Sequence, residues 1–448
     1  MKQLIVYNPI SKEGHLDSWH ALFVDLLLQA GWPVIAVTND PKGLEQKLTQ
    51  KRCVMKGLTV LSIEDKPLSL SSRLRLLWHR WNAYCDTRRF QQNQKGEVLP
   101  LWMLNVVQSM IDFLHQIYLG KNSTVGTGIA SNQASSTTHL DPQVFCKRVN
   151  QLIEQYPSDI AGVLNMYVDA YTPDLASWHN FSLKDNLPWI GLCITPGTDP
   201  AEGYYQLQSY KGSLFLDEAA HLRYQQRMPE RHFEFLPDIT ETGLPEKESA
   251  LAEQLKDRAQ GRKIVFLGGS IGKQKNLSRW LELVAIADAN KWFFAQIGRI
   301  NKNNLLREDE EALSRVQAQP PENLLIWSEY LSDERSFNEM ISLSDVIFAV
   351  YRDFGRSSNM LSKAAYFEKT ILVTEDTLMA TRVQQYGIGL AVKQEDARSM
   401  LAGLEALEHL PALAKKFDVY RQDISPSVVQ DRLVSFIQKC ITANSNQL

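Results

Sequence analysis

Short apolar runs recur along this chain, and most are followed by a polar loop and then by an apolar stripe at helical spacing. The first, Leu4–Tyr7, reads as a buried strand, and a loop spans Asn8–His15. A helix over Leu16–Ala30 stops at Gly31, and Val34–Val37 is the next strand, completing a βαβ start without a GxGxxG motif. The alternation returns with a helix over Val144–Gln155, then strands over Ile160–Val168 (ending at Asp169), Trp189–Ile194, Ser213–Leu216 and His232–Leu236. Thr240–Arg262 is charged, holds Gly243 and Pro245, and reads as a linker with a helix. A second series follows: strands at Ile264–Leu267, Trp292–Ile297, Leu324–Trp327, Val346–Val350, Thr370–Val373 and Ile388–Val392. Its helices are expected over Leu277–Ala289, through Ile341, after Ser357-Ser358-Asn359, over Ala397–Leu407 and, last, Leu433–Ile441. Strands alternating with helices predict an α/β fold with parallel sheets.

The pattern breaks between residues 69 and 139. Arg73, Arg75, His79, Arg80, Arg88 and Arg89 are interleaved with Leu74, Leu76, Leu77, Trp78 and Trp81. Such a basic, Trp-bearing stretch suits either an anionic membrane surface or a helical hairpin packed on its own domain. Asn122–His139 is rich in Ser, Thr and Gly and reads as a flexible loop.

Composition narrows the classes. A chain of 448 residues with 44% hydrophobic and 22% charged residues is long enough for two or three domains and is not a mainly disordered chain. A formal charge of -3 argues against a protein built around nucleic acid. The five cysteines are scattered without CxxC spacing, which suits reduced thiols in a cytosolic protein rather than a disulfide frame or zinc site. No apolar run approaches the roughly 20 residues that span a bilayer.

Two loops carry candidate chemistry. The stretch Ser344–Glu375 reads as strand, polar loop, capped helix and strand, with Arg352, Gly355 and Arg356 in the loop and Ser357, Ser358 and Asn359 at the helix start. A helix N-terminus beside hydroxyls and arginines suits an anion, although a solvated capped helix has the same residues. The second loop, Gly268-Gly269-Ser270-Ile271-Gly272-Lys273-Gln274-Lys275-Asn276, lets backbone approach a ligand and puts two lysines beside it. It lacks the GK[ST] ending of a Walker A loop. Gly14 and His15 face a ligand or are plain surface loop.

Two such halves, the second opening on a glycine loop, resemble GT-B glycosyltransferases, and in particular the retaining glycosyltransferase family 4. The resemblance rests on VFLGGSIGKQKNLSRWLEL, on LLIWSEYLSDERSFNEMISLSDVIFAV, on NMLSKAAYFEKTILVTED with YGIGLAV, and on LPDITE where the family often writes a Pro-Asn-Gly turn. It implies two Rossmann-like domains with a cleft between them: residues 1–245 for the acceptor, carrying the 69–139 insertion, and 246–425 for the nucleotide-sugar donor. A terminal helix in 426–448 would pack back on the first domain. Gly269, Ser270, Lys273, Lys275 and Arg352, with Ser357, Ser358 and Asn359, would hold the donor phosphates, and Tyr330 or Leu331 would border the base. The family's paired glutamates, eight positions apart, fall on Gly355 and Lys363, and its glycine and proline before the closing strand fall on Glu368 and Thr370. Lys363 is thereby a candidate diphosphate contact.

The resemblance implies metal-independent transfer of a sugar from a nucleotide-diphosphate sugar, a substrate rather than a cofactor, to a glycan or lipid-linked acceptor. His15 and Asp169 are the candidate catalytic residues, as general base for an inverting reaction. The absent acidic pair leaves open a catalytically silent binding or scaffold subunit, and a GT-B sugar-nucleotide epimerase is a further alternative. The expected location is cytoplasmic, with peripheral contact on the inner face of an anionic membrane.

Overall fold

A computed structural model of the chain describes residues 2–11, 15–51, 53, 55–64, 140–171, 175–197, 203–331, 333–409 and 414–442. The basic, Trp-bearing segment and the Ser/Thr/Gly-rich segment lie outside them. By their contacts, the described residues group into two units. One is drawn from 1–13, 23–190 and 201–211, the other from 14–22, 191–200 and 212–448.

Two sheets organise the chain. The first has strands β1 (Gln3–Asn8), β2 (Val34–Thr38), β3 (Leu58–Ser62), β4 (Ile160–Asn165), β5 (Trp189–Cys193), β6 (Tyr210–Phe215) and β7 (His232–Phe235), in the order β3-β2-β1-β4-β5-β6-β7. The second has β8 (Lys263–Gly268), β9 (Trp292–Ile297), β10 (Leu324–Trp327), β11 (Val346–Ala349), β12 (Thr370–Thr374) and β13 (Gly389–Val392), in the order β10-β9-β8-β11-β12-β13. Pairing is parallel in β1 with β2 and β4, and throughout the second sheet. Strands covered on both faces have no polar side to present, and β5, β9 and β11 are buried at every position.

In each sheet the strand order reverses once, between β1 and β4 and between β8 and β11. Loops leaving two such strands diverge to opposite faces of the sheet and open a crevice at its carboxyl edge. The two loops singled out in the sequence, after β8 and after β11, flank one of these points.

The helices start where short polar side chains can cap them. Asp40, Asp141, Asp217, Ser249, Asp333, Ser358, Thr377, Asp396 and Ser425 each accept a hydrogen bond from a backbone N–H of the first turn. Several boundaries differ from the sequence expectation. The strand expected to reach Val168 stops at Asn165, because Tyr167 takes a left-handed conformation (φ 62°) and Asp169 falls in a single turn, Val168–Ala170. The first helix starts at His15 rather than Leu16, and the one expected to reach Ala289 stops at Ile286. The final helix begins at Pro426, well before Leu433, and ends in a π turn over Gln438–Thr442. Strand β3 and the helices Pro41–Gln50, Glu218–Arg227, Arg307–Ala318, Leu378–Tyr386 and Ala414–Asp423 have no counterpart in the sequence reading.

Glu368 shows how tertiary structure overrides residue preference. It holds a left-handed backbone (φ 54°), a conformation that glycine adopts most easily, and its carboxylate meets Arg421 at 2.9 Å. Among the described residues, no helix is long and apolar enough to cross a membrane.

Candidate active site at the carboxyl edge of the second sheet

The glycine loop turns tightly. Gly269 has φ 92° and Gly298, at the end of β9, φ 129°. A Cβ on Gly298 would lie 2.3 Å from the Gly269 carbonyl oxygen, so glycine is required for the two strand ends to touch. Ile271 N–H donates to the Arg299 carbonyl at 2.9 Å, and Asn301 N–H donates to the Ile271 carbonyl at 2.8 Å. Asn276, buried and left-handed (φ 56°), donates from Nδ2 to the carbonyls of Val350 (3.3 Å) and Gln394 (2.8 Å). These bonds tie the start of helix Leu277–Ile286 to the ends of β11 and β13. Ser270 and Lys273 remain exposed on the turn, while Lys275 is half-buried, its Nζ donating to the Tyr351 hydroxyl at 2.8 Å.

Arg352 sits beside this loop but does not point out of it. Its Nη1 donates to the Lys273 carbonyl (2.7 Å) and to Asp309 Oδ2 (3.1 Å); its Nη2 donates to Ser278 Oγ (3.0 Å), Glu308 Oε1 (2.6 Å) and Asp309 Oδ1 (3.2 Å). Both ends of the guanidinium are occupied, so Arg352 differs from the expected phosphate ligand and acts as a brace between loops. Arg356 donates from Nη1 to Thr195 Oγ1 (3.0 Å) and from Nη2 to Gln274 Oε1 (3.3 Å), with its guanidinium carbon 4.9 Å from the centre of the Phe354 ring.

At the helix Asn359–Tyr366, Ser358 is the cap and accepts from Met360 N–H, while Asn359 is the first helical residue. Ser357 is turned away from the helix end. Its hydroxyl donates to Asp238 Oδ2 at 2.8 Å and accepts from Arg382 Nη1 at 2.6 Å. Lys363 is a clear correction: it is fully buried, pairs with Glu334 at 2.6 Å and donates to Asn338 and the Glu241 carbonyl, so no diphosphate reaches it. Burial pushes its amine down, against the opposing pull of Glu334. Tyr330 is exposed, and Leu331 packs against the core. His15 opens the first helix, and Asp169 lies in the turn after β4, half-buried.

Sequence reasoning missed the network around Asp238. Arg382 is buried and donates from Nη2 to the Leu216 carbonyl and to Glu218 Oε2 (2.9 Å), so Glu218, Arg382, Ser357 and Asp238 form one chain of hydrogen bonds. Ser362 adds a bond to the Asp238 carbonyl at 2.6 Å. Burial pushes the Asp238 carboxyl up to about 6, with Ser357 and Arg382 opposing the shift. The only signal in the sequence was the aspartate in LPDITE, in a turn of unusual composition. Asp238, Arg382 and Gly355 all line one cavity of about 790 Å³, with Phe235, Tyr386 and Tyr420 among its walls.

No family profile matches the sequence, and no curated protein matches it. Solved structures match over nearly the whole chain. An α,α-trehalose-phosphate synthase (UDP-forming) from Burkholderia vietnamiensis is 13% identical, with 100% of each chain covered and a TM-score of 0.60. HepE from Anabaena, solved in complex with UDP and glucose, is 7% identical over 98% of this chain and 100% of its own, with a TM-score of 0.61. Sucrose-phosphate synthase from Thermosynechococcus elongatus is 10% identical over 99% and 100%, with a TM-score of 0.59. Full-length agreement across two Rossmann-like α/β sheets identifies the fold of this chain as GT-B.

Proposed function

We propose that the protein is a glycosyltransferase, moving a sugar from a nucleotide-diphosphate sugar to a glycan or lipid-linked acceptor. The observation that carries this reading is the pairing of two loops at the reversal point between β8 and β11. One presents a glycine turn with Lys273 and Lys275, the other a helix start at Ser358 and Asn359. Backbone N–H groups, a helix dipole and ammonium groups gathered at one sheet edge suit a diphosphate. In the reaction, the bond between the sugar's anomeric carbon and the diphosphate breaks, and charge grows on the departing phosphate oxygens. Fixed positive groups there lower the barrier without rearranging, and they do so without a metal in this reading. Gly269 and Ser270 contribute backbone, Tyr330 and Leu331 border the base, and His15 or Asp169 serves as base if the reaction inverts.

Structural relatives that are UDP-forming, or solved with UDP and glucose, support the donor class. Residues 246–425 are the proposed donor half and 1–245 the acceptor half. A second reading, a binding subunit without catalysis, is favoured by one observation. Neither Gly355 nor the buried Lys363 supplies the acid that related enzymes place there.

The test is a thermal-shift screen of the full chain against nucleoside diphosphates, followed by assay of nucleotide release from the matching nucleotide sugars. Stabilisation plus release supports the transferase. Stabilisation without release, across a panel of acceptors, supports the binding subunit. No stabilisation by any nucleotide overturns both.

A further inference from the structure

The loop after β11 carries two arginines, and the structure gives them opposite surroundings. Arg352 is held by the carboxylates of Glu308 and Asp309. Arg356 is half-buried, and among the described residues it pairs with no carboxylate. Its partners are neutral: the Thr195 hydroxyl at 3.0 Å, the Gln274 side-chain oxygen at 3.3 Å and the face of the Phe354 ring. Asp353, the acid of the same loop, accepts from Gln394 Nε2 at 2.8 Å instead. The bonds of Arg356 use one N–H on each Nη; a guanidinium has about five such donors, so most remain for a ligand. A charge drawn partly out of water is costly, and neutral partners restore only part of its hydration. An anion would supply the rest, through the paired N–H geometry that suits phosphate.

Arg356 also shares a platform with Lys275. Lys275 Nζ lies 4.1 Å from the centre of the Tyr351 ring, and Tyr351 meets Phe354 edge to face at 5.2 Å. The Arg356 guanidinium carbon is in turn 4.9 Å from the centre of Phe354. Tyr351 is buried, and Thr374 Oγ1 donates to its carbonyl at 2.6 Å, which fixes the middle of this stack. Gln274, the residue that holds Arg356, sits in the glycine loop between Lys273 and Lys275. Two residues after Arg356 comes Ser358, the cap of the helix start. The two cations therefore stand on a supported aromatic base, which lowers the ordering cost of binding an anion between the two loops.

We propose that Arg356, and not Arg352, is the guanidinium that binds the donor's diphosphate, acting with Lys275 from one aromatic platform. The proposal rests on the nucleotide-sugar reading and adds a specific ligand to that site.

The experiment is calorimetric titration of the full chain with UDP, ADP and GDP over a range of salt concentrations. Arg356→Ala should weaken the diphosphate that the parent binds best about tenfold or more, the loss of a charged hydrogen bond. Its salt dependence should become shallower, because one cation fewer faces the phosphates. Arg356→Lys keeps the charge without the paired donors, so it should recover part of the affinity together with the parent's salt dependence. Arg356→Gln keeps a polar side chain without the charge, should bind as weakly as Arg356→Ala, and decides the matter if the alanine variant does not fold. A loss of affinity with unchanged salt dependence and no recovery in Arg356→Lys would make Arg356 a support for the loop, and overturns the proposal. Parent-like affinity in Arg356→Gln also overturns it, while the parent's own binding leaves the donor reading standing. If the parent binds none of the three diphosphates, the donor reading fails and this inference fails with it.

Discussion

Arg352 Nη1 lies 3.1 Å from Oδ2 of Asp309, a carboxylate with no exposed side-chain surface, and this pair braces the turn at Lys273 against the helix Arg307–Ala318. Asp309 also accepts from the N–H groups of Ser278 and Leu306. Burial pushes this carboxyl up, but Arg352 and those N–H groups outweigh it and hold it below the usual range.

Removing Arg352 should therefore unfold before it disarms. Arg352→Ala leaves a buried carboxylate without its cation, a change worth about 3 kcal/mol or more of stability, read by urea denaturation. The native pKa of Asp309 is depressed, so its contribution is present above about pH 3.9 and lost as pH falls through the native value. The acid unfolding midpoint of Arg352→Ala should shift upward. A variant as stable as the parent, with nucleotide binding lost, would instead make Arg352 a direct ligand.

Lys273 is the better probe of the donor site, being exposed on the turn. Lys273→Ala should weaken nucleoside diphosphate binding about tenfold, with the melting temperature unchanged and with a shallower salt dependence. Lys275→Ala should weaken it similarly but also lower the melting temperature slightly, because its Nζ bonds Tyr351. Calorimetric titration of both variants checks this, and parent-like affinities in both would move the site elsewhere.

Asp238 should leave a mark on the pH dependence of stability. Its native pKa, about 6, lies above the unfolded value of about 3.9. Between these values the folded form holds a proton that the unfolded chain has released, so stability falls as pH rises through the window. Across the whole window the decline amounts to about 3 kcal/mol. Denaturation of Asp238→Asn from pH 4 to 7 should show this decline removed, and an unchanged profile would place the titration elsewhere.

Lys363 and Glu334 form an ion pair with the lysine fully buried. Glu334→Ala should cost about 3 kcal/mol by stranding the ammonium, whereas Lys363→Met, which removes the charge and keeps the volume, should cost clearly less. Urea denaturation of the two variants gives the comparison. Loss of nucleotide affinity in Lys363→Met at unchanged stability would reinstate a ligand role.

Much of this architecture was legible in the residues. Strands such as Trp292–Ile297 and Thr370–Thr374 were readable because a strand covered on both faces must be apolar at nearly every position. Helices with weaker apolar stripes, Glu218–Arg227 and Ala414–Asp423 among them, were not, since much of each surface is polar and only packing selects the helix.

The sequence by itself determined most of the strands and the strongly striped helices, the alternation that makes the sheets parallel, and which two loops hold glycine, lysine and hydroxyl groups. These follow from local periodicity and short-range capping, which neighbouring residues settle among themselves. Tertiary structure alone decided how each charge is used. Arg352 and Lys363 look alike in sequence to Lys273, as cations near an expected phosphate site, yet an acid captures each of them, buried Asp309 for Arg352 and partly exposed Glu334 for the buried Lys363, while Lys273 stays in water. Asp309, Glu334 and Asp238 stand 43, 29 and 119 residues from Arg352, Lys363 and Ser357, the partners they meet. Only the sheet order brings them together, and burial then makes the pairing obligatory, because an unpaired charge inside a protein costs more than the fold can spare.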